Sequence, residues 1–429
     1  MVWTIMIALL LLLLLAGLPV AGTMANLGFL LNHFFSPMPL WRASGEISWA
    51  VATDFNLFAI PLFILLGQLL VISGIAKATY RAVNNWLSWL PGGLMHANIA
   101  TSALFAATSG SSVATAATVG TIALPEARRF GYNEGLFSAS IAAGGTLGIL
   151  IPPSINMIVY GFLTNTSIPK LFIAGILPGI ILALMFMSFV LFACILNPKL
   201  GGSQQFKAIS WKEKIKSLKD LLPMVLIFGV IMGSIYAGFA TPTESAALGV
   251  LAALGLTVWK KQMNWKNMIE ATAGTIKTTG MIMLILFAAY FLNFVFLALG
   301  LTNQIVEFIH AAKLTPTNTL LLIVLIYVIL GFFIETLSMM VLTIPVIHPI
   351  IVQLGFDSVW FGVILIILVE IALITPPVGL NLYVVQGIRQ RGSIKDMLGW
   401  IAPFVLAGIV LILVLMRFPI IALYLPGKI

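Results

Sequence analysis

Small polar residues and glycines interrupt an otherwise apolar chain where backbone and hydroxyl groups could bind ligands. Residues 101–121 contain six Ala, five Thr, four Ser and two Gly, which make up 17 of the 21 positions. Small side chains let such a segment pack backbone against backbone within a membrane. We predict a re-entrant hairpin with Gly110, Ser111 and Ser112 at its tip. A continuous helix packed through its small residues is the alternative.

Two Pro-Pro steps, Pro152-Pro153 and Pro376-Pro377, fall in apolar runs. Adjacent prolines remove two backbone donors and clash with the preceding turn, so each run is predicted to be a broken helix. The carbonyl end of a half-helix attracts cations, and its N–H end attracts anions. The tips and breaks therefore predict sites for a sodium ion and for a carboxylate.

The candidate ligands lie in the tips and breaks of both halves. We expect neutral oxygen donors for sodium, since they suit an alkali cation stripped of some of its water. The sodium candidates are Gly110, Ser111, Gly145, Gly148 and Pro152, then Gly331, Thr336, Ser338, Thr375, Pro376, Gly379 and Asn381. The substrate candidates are Ser111, Ser112, Ser154, Asn156 and Glu335. Residues 101–124 contain no titratable side chain, which favours sodium over proton coupling.

Three carboxylates, Glu244, Glu335 and Glu370, lie in apolar surroundings, where an ionisable side chain is a functional candidate. Residues 241–244, TPTE, also fit a capping box, which gives Glu244 a structural alternative. Glu335, beside Thr336, is the better site candidate. Glu370 precedes the second break and could instead pair with a basic residue of a packed helix.

These landmarks occur twice in the same order. The same interval along the chain separates the two Pro-Pro steps and the two turns Gly131-Tyr132 and Gly355-Phe356. Pro125 and Pro345 precede those turns, and the tip glycines Gly110 and Gly331 stand at nearly equal distances before the prolines. An internal duplication with interrupted helices is typical of secondary transporters, whose sites lie between the repeats.

The composition places these features in a bilayer. Hydrophobic residues make up 61% of the 429 and charged residues 8%, against roughly a quarter charged in soluble domains. At about 20 residues per span, the chain has room for about a dozen embedded helices, and runs of that length without alternation exclude a barrel. The predicted fold class is an all-α polytopic membrane protein with an internal inverted repeat, two re-entrant hairpins and two broken helices.

Four segments are predicted along the chain. Residues 1–95 and 197–300 would be scaffold helices, the latter with an amphipathic connector. Residues 96–196 and 301–429 would be the two repeats, each with a hairpin and a broken helix, and the second with a terminal span. Residues 5–22 predict a retained first span, because no basic residue precedes them.

The charge and the remaining reactive residues exclude other classes. A net charge of +9 marks cytoplasmic loops here, so no nucleic-acid partner is expected. Around residues 199–222, Trp211, Ile215, Leu218 and Leu222 alternate with lysines, which suits an amphipathic helix on an anionic leaflet or a solvated basic loop. The four histidines share no ligand spacing and Cys194 is the one cysteine, so a metalloenzyme is unsupported. A serine hydrolase at Ser111 lacks a partner histidine, and we predict that the chain is not an enzyme.

The sequence resembles the large membrane subunit of tripartite ATP-independent periplasmic (TRAP) transporters, the DctM-like family. The likeness covers most of the chain and rests on long motifs. They are residues 58–64 (FAIPLFI), 109–116 (SGSSVATA), 143–154 (AGGTLGILIPPS), 167–172 (SIPKLF), 241–244 (TPTE) and 375–381 (TPPVGLN).

The resemblance implies an elevator-type secondary transporter of the bacterial inner membrane. A mobile domain with both hairpins and both broken helices would be driven by a sodium gradient. The implied partners are a small membrane subunit, expected here as a separate chain, and a periplasmic binding protein. The implied solute is a C4-dicarboxylate or an acidic sugar such as sialic acid. A stand-alone sodium–dicarboxylate symporter and an ion channel lined by the hairpin remain alternatives.

Overall fold

The computed structural model describes residues 2–202, 209–301 and 313–428, together with positions 304 and 307. Helices joined by short turns make up these ranges, and no strand occurs in them. The first half contains α1 (Val2–Leu15), α2 (Val20–Phe35), α3 (Ser44–Thr53), α4 (Ala59–Ile72), α5 (Ile75–Leu87), α6 (Leu94–Ser109), α7 (Ser112–Arg129), α8 (Glu134–Thr146), α9 (Ile155–Thr164) and α10 (Ile168–Leu196). The second contains α11 (Trp211–Tyr236), α12 (Pro242–Trp259), α13 (Trp265–Ala298), α14 (Pro316–Leu330), α15 (Thr336–Gln353), α16 (Ser358–Ala372), α17 (Leu380–Arg389), α18 (Lys395–Arg417) and α19 (Ile420–Leu423).

Seven helical segments among the described residues are long and apolar enough to cross a membrane. They are Phe55–Ile72, Ile168–Leu196, Trp211–Tyr236, Pro242–Trp259, Trp265–Ala298, Thr336–Gln353 and Lys395–Arg417. The predicted all-α polytopic fold class is confirmed. Shorter apolar helices include α9, α14 and α16, which belong to the hairpins and broken helices.

Two local predictions are wrong in extent. The single span over residues 5–22 is divided, because the chain turns at Gly17, where φ is +74°, and α2 begins after Pro19. The amphipathic segment is the N-terminal part of the 26-residue helix α11, and residues 203–208 lie outside the described ranges. Trp211 is 70% exposed there and meets Trp86 edge-to-face at 6.2 Å.

The helices recur at the interval that separates the two Pro-Pro steps. α7 and α15 each have 18 residues and begin at Ser112 and Thr336, while α8 and α16 begin at Glu134 and Ser358. The duplication is therefore a property of the secondary structure as well as of scattered motifs. The earlier helices of the two halves pack in pairs, α2 against α13 and α4 against α12.

This alignment corrects two of the predicted landmark pairs. Pro125 inside α7 corresponds to Pro349 inside α15, so its pairing with Pro345 was wrong by one helical turn. Ser111, the N-cap of α7, corresponds to Glu335, the N-cap of α15. The tip residues Gly110 and Gly331 are therefore not equivalent positions.

Helices of each repeat pack against helices of the other repeat. α17, the half-helix after the second break, packs against α7 and α8 of the first repeat, while α15 packs against α9. Each hairpin thus lies against the half-helix of the other repeat. The buried Arg389 at the end of α17 strengthens one such contact, since its Nε lies 2.9 Å from Glu134 Oε2 at the start of α8.

Candidate functional site

The first tip is a tight turn between α6 and α7, so the continuous-helix alternative is wrong. Gly110 is left-handed, with φ +60°, and a Cβ there would lie 3.1 Å from the Pro153 carbonyl oxygen. Ser111 is extended and caps α7, and its Oγ accepts a hydrogen bond from the Ala114 N–H at 3.4 Å. The first N–H groups of α7 therefore point out of the tip.

The first break lies directly against this tip. α8 ends at Thr146, a 3₁₀ turn covers Leu147–Ile149, and Ser154 caps α9. The Ser154 hydroxyl donates to the Ile149 carbonyl at 2.5 Å. A Cβ on Gly148 would lie 3.0 Å from the Ser111 carbonyl oxygen, so glycine permits the backbone contact. Gly145 has the same role, since its Cβ would approach Ala116 Cβ to 2.6 Å.

The second tip ends on a carboxylate instead of a hydroxyl. Glu335 caps α15, where Oε1 accepts from the Leu337 N–H at 3.1 Å and Oε2 from the Ser338 N–H at 3.0 Å. The hydroxyls of Thr336 and Ser338 also donate to this carboxylate, at 3.1 and 2.9 Å. A negative charge at a helix N-terminus is favourable. The anion-attracting end of α15 is therefore already occupied by the chain itself.

The second break repeats the first with different side chains. α16 ends at Ala372, and a Cβ on Gly331 would lie 2.6 Å from Ala372 Cβ, so this tip also packs on its break. The Thr375 hydroxyl donates to Ile371 at 2.7 Å, and Gly379 precedes α17 with φ +34°. The Asn381 amide donates to the Ala142 carbonyl of α8 at 3.1 Å. Both Pro-Pro peptide bonds are cis.

A cavity of about 1030 Å³ lies where the two tips face the helices α4 and α13 and the start of α2. Of the predicted site residues, those that line it are Gly110, Ser111, Ser112, Asn156, Glu335, Thr336 and Ser338. Those that do not line it are Ser154, Gly145, Gly148, Pro152, Gly331, Thr375, Pro376, Gly379 and Asn381. The tips and the start of α9 thus meet at one site. From the breaks, Ile149, Leu373 and Leu380 reach its lining, while the predicted break residues lie outside it.

The sequence model of the Tripartite ATP-independent periplasmic transporter, DctM component, matches residues 7–421. The chain belongs to this family. It is 31% identical over 409 residues to the C4-dicarboxylate TRAP transporter large permease protein DctM of Vibrio cholerae, covering 90% of this chain and 89% of the relative. It is 34% identical over 336 residues to the sialic acid TRAP transporter large permease protein SiaM of the same species, covering 78% and 77%. The family consists of membrane transporter permeases, so the prediction that the chain is not an enzyme is confirmed.

A solved structure shares the fold of this DctM-family chain at low sequence identity. The crystal structure of the Alcanivorax borkumensis YdaH transporter, described as having an unusual topology, superposes with a TM-score of 0.65. The identity is 15%, and the match covers 94% of this chain and 98% of the other.

Three polar residues that line the cavity of this DctM-family chain were not predicted from the sequence. Gln68 on α4, Thr118 on α7 and Thr278 on α13 all line the cavity. The signal for Gln68 was present, because it is the one strongly polar side chain in the apolar run Phe55–Ile72 after Asn56, and such residues are functional candidates. Asn156 was predicted, and its buried Nδ2 has no hydrogen-bond partner in the described part of the chain.

The other two carboxylates have different roles. Glu244 completes the capping box, since the Thr241 N–H donates to its Oε2 at 2.8 Å and the Glu244 N–H donates to Thr241 Oγ1 at 3.3 Å. It does not line the cavity. Glu370 is buried at 1% exposure, and its partner is the Thr146 hydroxyl at 2.6 Å rather than a basic residue.

Proposed function

We propose that this DctM-family chain carries out sodium-coupled uptake of a carboxylate-bearing solute across the bacterial inner membrane. The observation that carries the proposal is that both hairpin tips meet scaffold helices at one cavity. Interrupted helices at membrane depth are tolerated where they line a polar cavity, and transporters place their ligands there.

The solute carboxylate binds at the first tip. The N-terminus of α7 opens into the cavity beside the hydroxyls of Ser111 and Ser112, and a helix N-terminus favours an anion. Asn156 adds an unpaired buried amide donor at the start of α9. Glu335 does not contact the solute carboxylate, because two negative charges would repel each other. It holds the second tip in shape.

Sodium binds where backbone carbonyls of a tip approach a break. In the first half the backbone of Gly148 lies against the Ser111 carbonyl oxygen, and in the second Gly331 packs on Ala372. Neutral oxygens suit sodium. A bound cation near the first tip would also offset the charge of the incoming carboxylate, which makes the two ligands cooperative.

The solute class is a C4-dicarboxylate or an acidic sugar such as sialic acid. The cavity of about 1030 Å³ is at the upper end of the range for small-molecule sites and accommodates either. Relatives named for each of these solutes match the chain at similar identity. The lining is mostly apolar, so the few polar groups at the tips fix the orientation of the solute.

Movement of the hairpins against the scaffold alternates access to the cavity. One wall consists of tip and break residues of the two repeats, and the other belongs to α2, α4 and α13. In this elevator mechanism, residues 96–196 and 301–429 move as a transport domain. A small membrane subunit and a periplasmic binding protein complete the tripartite system.

Reconstitution tests this function. Proteoliposomes containing the chain, its small subunit and the binding protein should accumulate labelled solute under an inward sodium gradient. Accumulation without sodium would contradict the coupling. Accumulation without the binding protein would indicate a stand-alone symporter, and sodium current without solute would indicate a channel.

A further inference from the structure

Glu370 of the second repeat contacts Thr146, the residue at the equivalent position of the first repeat. It lies near the end of α16, and its Oε1 is 2.6 Å from the Oγ1 of Thr146, the last residue of α8. The two residues are 224 positions apart, which is the spacing of the duplication. The contact thus connects equivalent places of the two halves, immediately before the two breaks.

The hydroxyl oxygen of Thr146 lies within hydrogen-bond distance of two other oxygen atoms. Its Oγ1 lies 2.7 Å from the Ala143 carbonyl oxygen as well as 2.6 Å from Glu370. A carbonyl only accepts, and a threonine hydroxyl has one hydrogen to donate. If that hydrogen goes to Ala143, the contact with Glu370 is a hydrogen bond only when the carboxyl group supplies the second hydrogen. An ionised carboxylate would leave two acceptors competing for one donor.

The surroundings of Glu370 offer nothing to compensate a negative charge. Its Oε2 has no hydrogen-bond partner, and no ion pair reaches the residue within the described ranges. A buried carboxylate with a single hydrogen bond is costly, whereas a neutral acid leaves only an unpaired carbonyl oxygen.

The titratable groups of the neighbouring helices make contacts elsewhere. His348 and Tyr160 bond Ser358, which begins α16 and therefore lies about 18 Å from Glu370 along the helix. The Tyr327 hydroxyl bonds Thr343, and Glu335 caps α15. The remaining titratable groups on these helices lie toward helix ends: Glu134 on α8, Lys170 and Cys194 on α10, and Lys395, Asp396 and Arg417 on α18.

We propose that Glu370 is a proton-binding site: its carboxyl group is protonated and donates to the Thr146 hydroxyl, so that a neutral acid links the two repeats. The Thr146 carbonyl in turn accepts a hydrogen bond from the cavity-lining Ser112 hydroxyl at 3.3 Å. The bound proton therefore supports the first tip through one intervening residue. This protonation belongs to the resting protein and does not depend on transport.

Infrared spectroscopy of the full chain in lipid bilayers tests this proposal. The wild type at neutral pH should show the carbonyl absorption of a protonated carboxylic acid, and Glu370→Gln should lack it. Glu244→Gln is the matched control, because Glu244 is exposed and belongs to the capping box of α12, and it should leave the absorption unchanged. Absence of the absorption from the wild type would overturn the proposal.

Two further arms keep the test independent of the folding of that variant. Thr146→Val removes the acceptor and should shift the acid absorption to higher frequency, whereas Thr146→Ser should leave it in place. Replacing potassium by sodium should not remove the absorption. Its loss on adding sodium would show that the carboxylate binds the cation, which would contradict the proposal.

Discussion

The two hairpin tips occupy the same repeat position but differ in charge. Ser111 caps α7 with a neutral hydroxyl, and Glu335 caps α15 with a carboxylate that already accepts four hydrogen bonds. Both helix N-termini face one cavity. Only the first therefore has its positive end available for an external anion. The duplicated fold places two equivalent helix N-termini at the cavity. Under the proposed function, the cap residue decides which of them binds the solute carboxylate.

Among substitutions that leave the charge of the caps unchanged, separating the first tip from its break should have the largest effect. Gly148→Leu forces a side chain into a position 3.0 Å from the Ser111 carbonyl, and overpacking of this kind displaces the backbone. Sodium-driven uptake should fall at least about tenfold. The control Gly255→Leu lies on α12, where a Cβ meets nothing within 4 Å, and it should retain uptake. Equal loss in both variants would argue against a special tip–break contact.

Removing the amide at the start of α9 should weaken solute binding next. Asn156→Leu keeps a similar volume but removes the unpaired Nδ2 donor that lines the cavity. The apparent solute affinity should decrease about tenfold, as for a lost hydrogen bond to a charged group. Uptake measured against solute concentration tests this, and an unchanged half-saturation concentration would remove Asn156 from the site.

A smaller effect is expected when the first cap is lost. Ser111→Ala removes a hydroxyl that caps α7, worth about 1 kcal/mol, and a neutral ligand group of the cavity. Solute affinity should fall about fivefold, with a modest decrease in thermal stability. The control Ser102→Ala concerns a buried serine of α6 that does not line the cavity. If both variants behave alike, residues 110–112 form only a packing turn.

The smallest effect is expected for a substitution on α4, one of the scaffold helices that line the cavity. Gln68→Leu removes a polar group of α4 that faces the tips. If the solute travels with the hairpins, Gln68 touches it in only one state, and the half-saturation concentration should change about twofold to threefold. The maximal rate should stay the same. A larger loss than in Asn156→Leu would place the main binding surface on the scaffold.

The sequence predicted the turns and breaks well, because their causes are local. Adjacent prolines cannot continue a helix, and Gly110 supplies a left-handed turn. The repeat interval was also visible, since the Pro-Pro steps and the Gly-aromatic turns share it. The pairing of Gly110 with Gly331 was wrong, because the equivalent residues of the two tips are the helix caps Ser111 and Glu335 and not the glycines.

The partners of the carboxylates were harder to predict. The bond between Glu370 and Thr146, and the packing of each hairpin on the half-helix of the other repeat, depend on tertiary contacts between residues far apart in the sequence. The capping role of Glu335 was also hard to predict, because the favoured N-cap residues are Ser, Thr, Asp and Asn, and glutamate is not among them. Its apolar surroundings in the sequence predicted a ligand-binding role instead.

Exchanging the two caps tests the central claim most directly. Solute uptake would be measured for Ser111→Glu and Glu335→Ser in the reconstituted three-component system. The account predicts that Ser111→Glu abolishes uptake, because a carboxylate then occupies the end of α7 that binds the solute, while Glu335→Ser retains most of it. Uptake that survives in Ser111→Glu and is lost in Glu335→Ser would contradict the assignment of the anion to the first tip.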